Sequence, residues 1–104
     1  MGNPFAGEVT LVIDGQAHCL KLTLGALAEL ESTLAAEGLI ALIARFETGD
    51  FRTSDVLALI VAGLRGGGWT GQGRDLLTAQ IEGGPLAAAT AAARLLALAF
   101  TVPK

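Results

Sequence analysis

Few side chains in this sequence are able to do chemistry. His18 is the only histidine and Cys19 the only cysteine in 104 residues. They are adjacent in a stretch of alternating hydropathy, so they point to opposite faces of a strand and cannot form a Cys–His catalytic pair with each other. One imidazole and one thiol also fall short of a zinc ligand set. Glu29 and Glu31 are two apart on a helical pattern and project in different directions, so they do not make a paired acid and base. Glu31 falls beside a leucine stripe and reads as a rim carboxylate paired with Arg45, Arg65 or Arg94; a functional reading would require burial, which raises a carboxyl pKa. Gly66-Gly67-Gly68-Trp69-Thr70-Gly71 has the glycine spacing of a dinucleotide loop. That mechanism needs a strand before the loop and a helix after it, and here a helical pattern precedes it, so it reads as a linker. No Gly-Lys-Ser or Gly-Lys-Thr phosphate loop occurs. Trp69 is either a lid folded back on the core or an exposed anchor for a partner, since Trp is enriched among binding hot spots. The expectation is a protein that is not an enzyme, with no catalytic residue, cofactor or metal, and with Trp69 as the candidate partner-binding residue.

The elements that position these residues follow from periodicity. Residues 1–7 read as a loose arm. In Glu8-Val9-Thr10-Leu11-Val12-Ile13 every second residue is strongly apolar, and Asp14-Gly15 is a two-residue hairpin signal. The return strand, Ala17 to Thr23, puts His18, Leu20 and Leu22 on the face of Val9, Leu11 and Ile13, and sets Glu8 opposite Lys21. At Leu22 to Leu34 the period changes from two to between three and four. Thr23 is a plausible N-cap, and Leu24, Leu27, Leu30 and Leu34 fall on one face. This helix is expected to lie across the hairpin, because a lone hairpin is marginal in water and needs a cover.

A second helix follows Ala36-Glu37-Gly38, with Gly38 as a left-handed stop and Leu39, Leu42, Ile43 and Phe46 as its stripe. Thr53 or Ser54 caps a third helix, and Asp55 sits in its first turn, where the dipole favours an anion. Apolar residues cover nearly all of its circumference, which marks a central helix. Five glycines in the eight residues Gly66 to Gly73 form the heart of a flexible connection spanning 66–74. Arg74 to Ile81 could hold a short helix, and Glu82-Gly83-Gly84 breaks it. Pro85 opens the last helix, whose tightest stripe is Leu86, Ala89, Ala93, Leu96 and Phe100. The reading is α+β: an N-terminal β-hairpin, about 8–23, packed on four or five α-helices in a single domain, 1–104.

Composition narrows the function classes. The chain is 52% hydrophobic, which supports a packed core and argues against disorder. A net charge of −3 with seven scattered Lys and Arg does not build the basic stripe of a nucleic-acid binder. A lone cysteine fits a reducing cytoplasm, and the first residues carry no signal-peptide pattern. Pro85 to Val102 is the one membrane candidate; it is short, alanine-rich and interrupted by Arg94, so no span is expected.

Leu22-Thr23-Leu24-Gly25-Ala26-Leu27-Ala28-Glu29-Leu30-Glu31, Arg45-Phe46-Glu47-Thr48-Gly49, and Asp55-Val56-Leu57 through Ala62-Gly63-Leu64-Arg65-Gly66 resemble the gene transfer agent family of small phage tail proteins. Ile81-Glu82-Gly83-Gly84-Pro85-Leu86 and Ala97-Leu98-Ala99-Phe100 are similar too. The resemblance covers most of the chain and is least in the loop around Trp69. It implies a non-enzymatic, protein-binding role in building a long tail, either as a tube component or as a tail assembly chaperone, with no catalytic residues to carry over. One short hairpin supplies little strand for a ring-forming tube protein. The leading expectation is therefore a chaperone that binds the tape measure protein, with the tube protein as a second partner. The alternative is a structural component retained in the particle, and a small DNA-binding regulator is a third reading.

Overall fold

The computed structural model describes residues 7–34 and 38–100. Apart from Gly7, the expected N-terminal arm lies outside the described residues, as do Ala36 and Glu37. The chain runs β1 (Glu8–Ile13), β2 (Gln16–Lys21), α1 (Leu24–Leu34), α2 (Gly38–Thr48), α3 (Thr53–Gly66), a 3₁₀ turn (Gly73–Leu76) and α4 (Gly84–Ala99). Among the described residues this is the expected α+β order, a two-stranded antiparallel hairpin and four α-helices.

Asp14 and Gly15 have φ of 51° and 79°, the two positive values that a type I′ turn demands. That turn fixes the register, and Glu8 stands opposite Lys21 as expected. The return strand begins one residue earlier than expected, at Gln16, and ends at Lys21. Thr23 leaves the sheet because its hydroxyl accepts the Ala26 N–H at 3.1 Å and caps α1. Val9, Leu11, Ile13 and Leu20 are buried on one face of the hairpin.

The cover of that face differs from expectation. α3 packs on β2 and α4 on β1, while α1 packs on α3 and α2 on α1. α3 is therefore the organising helix. It is apolar nearly all round and can face the sheet, α1 and α4 together, whereas α1 offers only one narrow stripe. That stripe is Ala26 and Leu30, flanked by half-buried Leu27 and Leu34. Leu24, expected on it, is 84% exposed. Small side chains decide this: a Cβ built on Gly66 would meet the Ala26 Cβ at 3.4 Å, so α1 and α3 approach through Ala26. Leu24, two residues away on the helix, is then turned outward.

α4 is rotated from expectation for a similar reason. Its buried residues are Ala88, Ala91, Ala92, Leu95 and Leu96, whereas Leu86, Ala93 and Phe100 are exposed. Gly63 provides the seat. A Cβ there would fall 2.8 Å from Leu95 Cδ1 and 3.1 Å from Leu20 Cβ, so the missing side chain is where α3, α4 and β2 come together. In α2 the expected stripe holds, with Leu42 fully buried and Leu39, Ile43 and Phe46 packed on the core. Gly38 and Gly49 both have left-handed φ, and the Asp50 N–H donates to the Arg45 carbonyl as α2 ends.

The segment after α3 is turned rather than helical over most of 74–81. Ile81 forms an isolated bridge with Ile13, the Glu82 N–H donates to the Val12 carbonyl, and the Asp14 N–H donates to the Gln80 carbonyl. Residues 80–82 thus lie along part of the outer edge of β1. On the other edge, Cβ atoms at Gly66 and Gly67 would collide with the Lys21 and Cys19 carbonyl oxygens. These two glycines close the end of α3 onto β2.

Candidate interaction surface

The residues singled out for chemistry are dispersed. His18 is half-buried on the inner face opposite Leu11, and Cys19 is exposed on the outer face. Glu29, not Glu31, pairs with Arg65, whose guanidinium also donates to the Gly71 carbonyl at 3.4 Å. Glu31 is exposed, so it lacks the burial that a functional reading required. Gly66 ends α3, and the glycines after it lead into a 3₁₀ turn, not the helix a dinucleotide site needs. Among the described residues no group of three or more His, Cys, Asp and Glu is placed to hold a metal ion. Nor is any described helix long and apolar enough to cross a membrane.

Trp69 is half-buried and packs against the core. Its backbone N–H donates to the Leu64 carbonyl at 2.9 Å, and its ring lies over Gly71, where a Cβ would strike it. Of its two expected placements, the structure shows the folded-back lid.

The most strongly held polar group was only half legible. Asp55 was expected to complement the α3 dipole; it also takes two bonds from Arg45, Nε to Oδ2 at 2.9 Å and Nη2 to Oδ1 at 2.8 Å. Its Oδ2 further accepts the Arg52 N–H at 2.8 Å, so Asp55 caps α3 from inside, in place of the Thr53 or Ser54 hydroxyl. Asp55 is 2% exposed. Burial pushes its carboxyl up, but the Arg45 hydrogen bonds, the Arg52 N–H and the two guanidinium charges outweigh burial and hold it below the usual carboxylate value. Arg45 thus belongs to Asp55 and is not the partner expected for Glu31.

An apolar groove of about 450 Å³ lies between the first half of α3, the 76–81 segment and the start of α4. Val56, Leu57 and Ile60 form one wall, Leu76, Leu77 and Ile81 another, and Pro85 and Ala88 the third. Leu77 is 70% exposed at its rim, and Phe51, stacked on Phe46 at 4.6 Å between centroids, closes one end. The sequence hinted at this surface through the all-round apolarity of α3. It did not place Leu77, because the 74–81 segment read as a helix.

This is an α+β protein with a surface groove lined mainly by hydrocarbon. Comparison with protein families matches residues 6–102 to the family described as phage tail tube protein, GTA-gp10, and the chain belongs to that family. The resemblance drawn from the Leu22–Glu31 segment and its companions is thereby upheld. The description names a tail tube protein, not an assembly chaperone. Comparisons with curated proteins and with solved structures return no match.

Proposed function

We propose that this chain is a structural component of the tail of a phage-like particle, not an enzyme, and that it is built into the particle through apolar side-chain contacts. The observation that carries this reading is the family match, which spans all but a few residues at either end. The groove beside α3 supports it, as do Leu77 at its rim and Leu86 on α4, both large apolar side chains held in solvent. Edge-to-edge strand pairing between copies has little to work with. Residues 80–82 occupy part of the β1 edge, and the end of α3 lies against two outward carbonyls of β2. Contacts through helix faces and the groove are the remaining route.

A second reading, an assembly chaperone for the tape measure protein, draws on the same groove. An amphipathic helix of the client would lay its apolar stripe there. The two readings part at the finished particle. Leu77→Asp puts a charge at the groove rim on a side chain that contributes little to the core. Particles from cells complemented with this variant should lack the protein or fail to form tails, while the purified variant unfolds at the wild-type denaturant midpoint. Normal tails carrying the variant at wild-type level would remove the groove from the assembly contacts.

A further inference from the structure

We propose that α2 is a hinged flap that opens from the body as one unit, below the free energy of global unfolding. α2 contributes one buried residue, Leu42, against six in α3 and five in α4. Its packing is mainly on α1, itself an outer helix. Ile40 on its far side is 85% exposed. Gly38 and Gly49, with φ of 75° and 80°, bracket it. At both positions the backbone occupies a region that costs glycine little, and a Cβ would meet nothing within 4 Å, so the chain can pivot there.

What ties α2 to α3 is a latch at the corner. Arg45 reaches across to the buried Asp55 with two hydrogen bonds, and Phe46 stacks on Phe51 in the connection. The other bond of Asp55 is to the Arg52 N–H and lies wholly on the α3 side. Opening therefore breaks the Arg45 contact and leaves the α3 cap intact. It swings Leu39, Leu42, Ile43 and Phe46 off the core, the stripe that the closed form covers. The sheet, α3 and α4 pack directly on one another without α2 between them. Sub-global opening of this kind draws on the segments with the fewest buried apolar contacts.

Native-state hydrogen exchange on the full chain tests this. Amides of residues 42–48 should show protection at least about tenfold below those of residues 59–64 in α3 and 91–96 in α4, with a smaller dependence on denaturant. A body variant, Ala92→Gly, separates the two events. It should lower α3 and α4 protection by about tenfold and leave α2 protection unchanged within about twofold, because Ala92 stays packed when α2 opens. Arg45→Met should lower α2 protection as well as that of the body, since its contact is lost in both events. Uniform protection across the helices, or an α2 that follows Ala92→Gly in step with α4, would overturn the proposal.

Discussion

Asp55 and Arg45 make the costliest pair to break. Asp55 is buried and doubly bonded to Arg45, so Arg45→Met leaves a carboxylate in the interior with only part of its compensation. Unfolding in urea should show a loss of about 3 kcal/mol, the low end for removing one partner of a buried pair, because Arg45 keeps some solvent access. The pair also sets a pH dependence. The folded-state pKa of Asp55 lies below its unfolded value. Its contribution is then complete above the unfolded value, about 4, and is lost as pH falls through the lower folded value. The stability gap between wild type and Asp55→Asn should be flat from pH 7 to 5 and narrow in more acid solution. A gap that stays constant at the acid end would show that the charge on Asp55 contributes nothing. Trp69, the one tryptophan, reports its own packing. Its emission should shift to the red on unfolding, and Trp69→Ala should cost about 1–2 kcal/mol, less than a fully buried aromatic, because the residue is only partly buried.

Glycine substitutions separate the glycines that close the fold from those that merely occur in it. Gly66→Ala and Gly67→Ala each push a methyl into a β2 carbonyl, so each should destabilise by about 1–3 kcal/mol through a forced backbone shift. Gly25→Ala in α1 meets only the Thr23 hydroxyl at 4.0 Å, so it should stabilise by about 0.5 kcal/mol through lower chain entropy. Thermal melts of the three variants check this, and equal effects would refute the distinction. The same contrast explains what could be read in the sequence. The hairpin register was legible because Asp14-Gly15 admits one turn geometry and alternation admits one face. The α2 stripe and the Thr23 cap were legible because each is a local pattern. The faces of α1 and α4 were not. Alanine stands at so many positions of α4 that periodicity selects no unique face, and it is the hollow at Gly63, a tertiary feature, that turns Leu95 inward. Likewise Ala26 wins over Leu24 because Gly66 lets a small residue come close. The groove escaped because one of its walls comes from 76–81, a segment whose end is placed by pairing with β1 rather than by its own propensity.

The arrangement as a whole places one helix, α3, between a small sheet and two other helices, and leaves hydrocarbon exposed on the far side of α3 and α4. A family described by the tail tube, matched over residues 6–102, gives that surface a setting. Exposed leucines on a monomer are a liability in solution and an asset in a repeated assembly. If the groove is buried between protein neighbours in the tail, Leu77 should be protected from solvent labelling there and open in the isolated chain. The most direct measurement is quantitative mass spectrometry of purified tails. The structural reading expects this protein in the finished particle in multiple copies, at a fixed ratio to the other tail proteins. Its absence from intact tails, with abundant protein left in the lysate bound to the tape measure protein, would contradict that reading and establish the chaperone role in its place.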